Sequence, residues 1–318
     1  MSQLQTGGLG GIAQTLNQVT VPAGHNLVID GDILHHNGNG AFTIPAGTTA
    51  QRPGSPNRGD MRFNTSDDAL EVWTGTDWKQ YGIALGTSSG NPAESAAAIL
   101  ANDASATDGV YWLSHSGGSG AYQAYCDMSN GGYILVGKVS SSPADTSNPW
   151  SYSGARWTAT SPHSEDGCQS TGAGDSLNRG YYEHTLATGF RFSMNTVGNV
   201  LSVARTGVTP RQAFTGAAYN TNKSRSDFLN WIPNSSSEWN NQPHCNRNGF
   251  NRTDSSGSAM RYGHTMNNEN ECNSNDSAIG FGCYTNSQSS SGDRNCACGG
   301  FRWNGTTRWA YNGWIWVK

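Results

Sequence analysis

Oxygen-bearing side chains are concentrated in one short stretch of the chain, from Glu269 to Asp276. Calcium in proteins takes about six to eight oxygen ligands from carboxylates, side-chain amides and backbone carbonyls on a flexible loop. The candidate calcium ligands in this stretch are Glu271, Asn273, Asn275 and Asp276. Because carboxylates are few here, an Asn-rich surface turn held by side chain to backbone hydrogen bonds is the alternative interpretation.

A second group of residues combines aromatic rings with amide and guanidinium groups. Sugar rings present C–H faces to aromatic platforms and hydroxyl groups to planar polar groups, so this mixture suits carbohydrate. The candidate saccharide-binding residues are Trp303, Asn304, Arg308, Trp309 and Tyr311. For Trp309 and Tyr311 core packing remains an alternative. Trp314 and Trp316 share one face of a predicted strand, and for Trp314 the core interpretation is favoured.

The sequence offers little for catalysis. It contains no His-Glu-x-x-His zinc motif and no phosphate-binding loop. Its Gly-rich segments do not lie between a predicted strand and a predicted helix, as a nucleotide-phosphate site would require. We therefore predict that the protein is not an enzyme.

Composition excludes several kinds of partner. Only 13% of the residues are charged, and the 19 Lys and Arg residues are too scattered for a phosphate-binding face, so nucleic acid is not expected. No run of roughly 20 apolar residues could insert into a membrane, and the first residues lack the pattern of a secretory signal. The 41 Gly and 11 Trp residues indicate turn-rich β structure that packs, of the kind exposed outside cells.

The chain has seven Cys residues, all at or after Cys126. An odd number leaves at least one without a disulfide partner, and sequence alone does not determine how the others pair. A fully reduced set is the alternative, since a chain without a signal folds in a reducing cytoplasm.

Residues 1–50 lack the large side chains needed for a core of their own. The first 60 residues contain no Trp, Tyr or Cys, and Phe42 is their one aromatic residue. Short alternating segments such as Leu27 to Ile29 are separated by Gly and Asn turns, which is typical of β structure. We predict an elongated β-rich attachment region that is completed by other copies, as a homotrimer.

Residues 51–85 are predicted to form a β-hairpin module. The alternating segments Met61–Asn64 and Leu70–Trp73 flank a polar turn, and a turn at Gly75 brings Trp78 back over them. This segment resembles a hairpin module of bacteriophage tail fibres. The matching residues are Gly59-Asp60-x-Arg62-Phe63-Asn64-Thr65, Leu70 to Trp73, and Trp78.

Residues 86–90, a Gly/Ser stretch, are predicted to be a linker to a third region, 91–318. Asn91, Pro92 and Glu94 have the pattern of a helix start, with Asn91 as the N-cap. Strand-like segments follow at residues 109–113, 121–128 and 132–138, and a closing one at 313–318. The predicted fold class is mainly β with a short helix in an α+β head.

The same region resembles a fibrinogen C-terminal-like domain. The resemblance rests on Asp108 to Tyr111, Tyr125 to Met128, Gly132 to Gly137, and Cys298 with Asn304-Gly305, and it is loose between residues 139 and 260. It implies a non-enzymatic head that binds carbohydrate or acetylated groups, often beside calcium. It also implies a disulfide from Cys283 to Cys298 or Cys296, whereas Cys126 lacks the partner that the family places in its first helix.

Together these features predict a virion protein, a phage tail fibre that recognises host cell-surface saccharide with its head and contacts other tail proteins through its N-terminal region. Calcium is a possible cofactor. A structural decoration or collar fibre without receptor binding is one alternative, and a bacterial fibrinogen-like lectin is another.

Overall fold

The computed structural model describes residues 39–67, 69–81, 84–140, 148–233, 239, 241–253, 258–285, 294–301 and 308–318. The strands predicted before residue 39 lie outside the described residues. The chain divides into two compact units, Met1–Pro45 and Ala46–Lys318, and all that follows concerns the second. This unit is mainly β with short helices, which confirms the predicted fold class.

Sixteen strands and four α-helices are seen in the described residues. The strands are β1 Ala46–Gly47, β2 Met61–Asn64, β3 Ala69–Trp73, β4 Trp78–Tyr81, β5 Gly109–Leu113, β6 Tyr122–Asp127, β7 Tyr133–Val139, β8 Ser176–Leu177, β9 Gly189–Met194, β10 Thr196–Ala204, β11 His244–Thr253, β12 Ala259–Asn267, β13 Ser277–Thr285, β14 Arg294–Phe301, β15 Arg308–Ala310 and β16 Gly313–Val317. The helices are α1 Ala96–Asn102, α2 Gly180–Glu183, α3 Pro210–Thr215 and α4 Arg225–Trp231.

The first sheet contains the predicted hairpin. Strands β2, β3 and β4 are antiparallel neighbours, as the alternating pattern predicts, and β1 adds a short parallel edge. Its buried side is polar: Glu71 is inaccessible, and its carboxylate accepts from Arg52 at 2.7 Å and Arg62 at 2.8 Å. The Asn64 amide donates to the same carboxylate at 3.1 Å, so hydrogen bonds satisfy the buried charge.

The Gly/Ser stretch at residues 86–90 is a hydrogen-bonded turn in the structure. Gly86 donates its amide to the Asn91 carbonyl at 2.8 Å and accepts from the Trp112 amide at 2.7 Å. The Ser88 hydroxyl donates to the Gln80 side chain of β4 at 2.9 Å. The segment therefore contacts both the hairpin sheet and the region that follows it.

The helix start predicted at Asn91 is wrong by four residues. Helix α1 is capped by Ser95, whose hydroxyl accepts from the Ala98 amide at 3.1 Å. Residues before the cap are extended because Ala93 forms a β-bridge with Leu113. A tertiary contact thus overrides the helix-start pattern of Asn91, Pro92 and Glu94.

The largest sheet has the strand order β10-β9-β16-β7-β6-β5, with β8 paired to β7. Its inner face packs on the five-stranded sheet, ordered β11-β12-β13-β14-β15. The ring of Phe192 in β9 stacks on Tyr262 of β12 with 4.3 Å between centroids, and lies 5.3 Å from Phe281 of β13. Burying such rings drives association of the two sheets, at about 1.5–3 kcal/mol for each side chain.

A row of glycines crosses the five-stranded sheet. Gly249, Gly263, Gly280 and Gly299 are direct neighbours on consecutive strands. A Cβ on Gly280 would lie 2.1 Å from the Tyr262 carbonyl oxygen, and one on Gly263 would lie 2.1 Å from that of Ile279. Since Gly280 also has a φ of +147°, the row marks a line along which only glycine allows the strands to approach.

The disulfide implied for Cys283 and Cys298 is wrong. The disulfide in the described residues joins Cys245, in β11, to Cys272, in the loop after β12. Cys283 and Cys298 are buried thiols in separate apolar clusters, Cys283 beside Met260 and Cys298 in the main core. Burial raises the pKa of both thiols well above the usual range, so neither is an ionised, reactive sulfur.

Among the described residues, no helix is both long enough and apolar enough to cross a membrane.

Candidate functional site

The outer face of the seven-stranded sheet carries aromatic and polar side chains. In β16, Ile315 and Val317 belong to the main core, whereas Trp314 and Trp316 belong to a separate cluster on the opposite face. The same two-residue alternation in neighbouring strands turns further residues to this side. They are Tyr125 and Asp127 of β6, Tyr133 and Leu135 of β7, and Arg191 and Ser193 of β9.

Strand register brings these residues together. Trp316 is the direct neighbour of Arg191 on one side and of Leu135 on the other, and Asp127 is the neighbour of Tyr133. A cleft of about 470 Å³, which we call the sheet cleft, is lined by Trp316, Arg191, Asp127 and Tyr133 among others. The sheet cleft therefore depends on strands that are far apart in sequence.

Arg191 occupies the centre of the sheet cleft. Its guanidinium lies 4.9 Å from the ring centroid of Tyr133 and 5.0 Å from that of Trp316, and it forms an ion pair with Asp127. Its Nε atom is buried without a hydrogen-bond partner. The two rings and the carboxylate fix the guanidinium in place, and its Nε–H remains an unused hydrogen-bond donor.

Asp127 is kept ionised by its neighbours. Burial alone would raise its pKa, but hydrogen bonds from Arg191 and Asn130 outweigh this and lower the pKa below its usual value. The Asn130 amide donates to both carboxylate oxygens, at 2.9 and 3.0 Å. On the same rim, Asp108 accepts from the Ser129 amide at 2.8 Å. This side of the sheet cleft is consequently rich in acceptors.

The opposite wall comes from β10. The pairing of β10 with β9 shifts register between Thr196 and Val200, and the Ser193 hydroxyl donates to the Val197 carbonyl at 2.8 Å. Val200 is 44% exposed at the rim, and Ser202 is exposed beside it. The sheet cleft thus has an apolar wall, an acidic wall and a cationic centre, which is a suitable set of contacts for a sugar.

Two of the residues predicted to bind saccharide, Trp309 and Tyr311, lie outside the sheet cleft. Trp303 and Asn304 lie outside the described residues, and of Arg308 only the backbone, in β15, is described. Trp309 is half-buried, 5.1 Å from the ring of Trp239, and Tyr311 is half-buried against the main core. Neither Trp309 nor Tyr311 lines the sheet cleft.

The predicted calcium loop holds its acidic residues in two different ways. The Glu271 carboxylate accepts from Asn267 Nδ2 at 2.9 Å, from the Ser274 hydroxyl and from the Asn273 amide, so it closes the loop on itself. Asn273 is exposed, whereas Asn275 is buried and its carbonyl accepts from Ser258 at 2.9 Å. Of the predicted ligands, Glu271 is therefore already used within the loop.

Asp276 is in a different environment. Burial, together with the nearby Glu269 and Glu271, raises the pKa of its carboxyl to about 6. Its Oδ2 atom has no hydrogen-bond partner, and the same holds for the buried Oε1 of Gln242 and Oδ1 of Asn267. A carboxylate beside unpartnered amide oxygens is a donor set that suits calcium better than zinc.

In the described part of the chain, no three His, Cys, Asp or Glu side chains approach closely enough to hold a metal by themselves. A calcium ion at Asp276 would thus depend on amide and carbonyl oxygens.

No family model matches this chain, and no curated protein matches it either.

The sheet cleft is not predictable from the sequence pattern of any one strand. Two of its contributors, Tyr125 and Asp127, belong to the segment that carries the fibrinogen-like resemblance, but a single strand does not show what lies beside it. A usable signal was present in the last strand, where Trp314 and Trp316 alternate with Ile315 and Val317. Large side chains on both faces of a strand indicate that both faces are covered or used.

Proposed function

We propose that the protein is a virion fibre whose head binds host cell-surface saccharide in the sheet cleft, and that it acts by binding rather than by catalysis. The observation that carries this proposal is the position of Arg191 between two aromatic rings and beside the ionised Asp127. Such a site gives hydroxyl groups both donors and acceptors while aromatic and aliphatic surface covers the C–H faces of a ring.

The dimensions of the sheet cleft support a small glycan. Its volume of about 470 Å³ lies in the range of small-molecule sites and accommodates one or two sugar units. The cleft contains both Arg191 and two carboxylates, Asp108 and Asp127, so an anionic polymer is less suited to it than a neutral sugar.

Filling the cleft tests the proposal. Ser202 and Ala204 lie two positions apart on β10, are both exposed and share one face, but Ala204 does not line the cleft. On an array of bacterial surface polysaccharides, wild type should bind at least one, Ser202→Trp should lose at least tenfold in affinity, and Ala204→Trp should bind normally. Equal binding by both variants, or no binding by wild type, would overturn the assignment.

Calcium belongs to the proposal at Asp276. The groups that would hold it are the Asp276 carboxylate and the side-chain amides of Gln242 and Asn267, each of which has one buried oxygen without a hydrogen-bond partner. The ion would neutralise the cluster formed with Glu269 and Glu271 and so stabilise the loop tied down by the Cys245–Cys272 disulfide.

The N-terminal region supports the fibre part of the proposal. Residues 1–50 contain no Trp, Tyr or Cys, so their apolar residues need neighbouring copies to become buried. Light scattering of the full chain should give the mass of three copies, each of 33.8 kDa. A monomer would contradict the fibre assignment while leaving saccharide binding by the head to be judged by the array.

A further inference from the structure

A second cavity, of about 360 Å³, lies between the first turn of α1 and the segment that follows α2. We call it the histidine cavity because His115 and His184 both line it. It shares no lining residue with the sheet cleft, and it plays no part in the saccharide proposal.

The protonation of the two histidines follows from their partners. His115 Nδ1 lies 2.9 Å from the Glu94 carbonyl oxygen, which only accepts, so Nδ1 carries the proton. His115 Nε2 then accepts from the Tyr122 hydroxyl, 2.7 Å away. His184 Nδ1 lies 3.4 Å from the protonated Nδ1 of His115, so it is the acceptor there.

It follows that His184 carries its proton on Nε2. That atom is buried and has no hydrogen-bond partner, and His184 as a whole is only 5% exposed. Burial and the neighbouring His115 lower the pKa of His184 to about 3, so the ring stays neutral. His184, which lines the cavity, therefore carries an unused neutral donor and not a lone pair available to a metal ion.

Glu183, the residue before His184, supplies a hydrogen-bond acceptor. One carboxylate oxygen of Glu183 accepts from the Ser119 amide at 3.1 Å and from its hydroxyl at 2.7 Å. The other oxygen, Oε2, is buried without a partner. A buried carboxylate oxygen that lacks a donor is costly, and a cationic donor relieves that cost most effectively.

The other side chains that line the histidine cavity are mostly small, and its carboxylates make it acidic. Ala97, Ala98 and Ala187 provide apolar contacts, and Glu94 adds a second carboxylate. Lys318 also lines the cavity, but its ammonium lies 5.9 Å from the ring centroid of Tyr133. An anion is therefore unsuited to the cavity.

We propose that the histidine cavity binds a vicinal amino alcohol, with its ammonium on Glu183 Oε2 and its hydroxyl oxygen accepting from His184 Nε2. The chemistry occurs both in amino sugars and in ethanolamine headgroups. A compact ligand with both groups on adjacent carbons offers a partner to each of the two unpartnered atoms.

Calorimetric titration with glucosamine and with ethanolamine, each up to about 10 mM, tests the proposal. N-acetylglucosamine and glycerol, which lack the ammonium, serve as controls. At least one amine should bind with a millimolar Kd and both controls at least tenfold more weakly. Binding of glucosamine alone would identify a saccharide source, and binding of ethanolamine would show that the amino alcohol suffices. Equal binding of N-acetylglucosamine, or no binding of either amine, would overturn the proposal.

Two nearly isosteric variants separate the site from general electrostatics. Glu183→Gln keeps an oxygen for Ser119 but should reduce amine binding at least tenfold, whereas Asp166→Asn, at an exposed carboxylate that does not line the cavity, should change it less than about threefold. Equal losses in both would refute the assigned contact. Nitrogen-detected NMR of the histidine rings should show protons on Nε2 of His184 and Nδ1 of His115; the opposite tautomer at His184 would also refute it.

Discussion

The hairpin sheet and the head bury opposite kinds of side chain. The hairpin sheet surrounds the inaccessible carboxylate of Glu71 with Arg52, Arg62 and Asn64. The head instead packs aromatic rings between two sheets, with Phe192 against Tyr262 and Phe281. A four-stranded sheet offers too little apolar area for a core, so it relies on satisfied charges, whereas the larger head relies on packing.

This difference predicts different sensitivities. A core of rings and close backbone contacts should respond to added atoms and hardly to charge, because its contacts are steric. A buried ion cluster should respond to the loss of one charge and to pH, because its remaining charges then lack compensation.

The largest effect is expected at the glycine row. Gly280→Ala would place a Cβ 2.1 Å from the Tyr262 carbonyl and strain a residue with φ of +147°. We expect a loss of about 3 kcal/mol or more in the free energy of unfolding of the head, from strain and steric overlap combined. Denaturant unfolding measures it. Gly198→Ala, where a Cβ meets nothing within 4 Å, is the control and should stay within about 0.5 kcal/mol.

The second effect should be confined to the hairpin sheet. Glu71→Gln leaves the guanidinium of Arg62, whose side chain is 6% exposed, without a counter-charge. Breaking a buried pair in this way costs about 3 kcal/mol, seen as faster hydrogen exchange in β2 and β3 with little change in β12 and β13. The exposed pair of Lys79 and Asp77 is the comparison: Asp77→Asn should cost less than about 1 kcal/mol. Similar exchange rates in both variants would contradict the ion-cluster account.

As the pH falls, the ionisation of Glu71 and of Asp276 should change the stabilities of the hairpin sheet and of the head in opposite directions. Burial opposes ionisation of Glu71, but hydrogen bonds from Arg52 and Asn64 lower the pKa of its carboxyl below 4.5. The contribution of Glu71 to the stability of the hairpin sheet is therefore present above pH 4.5 and is lost as the pH falls further. The pKa of Asp276 is raised from 3.8 to about 6, so its ionised form is a penalty that disappears as the pH falls below about 6.

A smaller effect is therefore expected at Asp276. Without calcium, Asp276→Asn should stabilise the head by about 1 kcal/mol at pH 7.5 and make no difference at pH 4, where the wild-type residue is also neutral. Thermal unfolding with excess calcium should reverse the order, since calcium would stabilise only the wild type. If calcium raises the melting temperature of both proteins equally, the ion does not bind at Asp276.

The elements whose signals are local could be predicted from the sequence. The hairpin of β2 and β3, and the strands β5, β6, β7 and β16, follow from alternation and turn residues, which act between near neighbours. The shared face of Trp314 and Trp316 follows in the same way, from the period of two along a strand.

Features that depend on distant partners could not be predicted in this way, because they arise when the chain packs. Gly263 and Gly280 lie within strands although glycines otherwise suggest turns, because each faces a neighbouring backbone that the sequence does not show. Helix α1 is capped by Ser95 and not by Asn91 because Leu113 holds Ala93 extended.

The same reason applies to the sites. The sheet cleft requires Arg191 beside Trp316, a pairing set by strand register between residues more than a hundred positions apart. The Cys245–Cys272 disulfide and the tautomer of His184 likewise depend on neighbours that only folding supplies. Residue types and local periodicity can be read from the sequence, whereas contacts between side chains on different strands depend on the strand register of the folded protein.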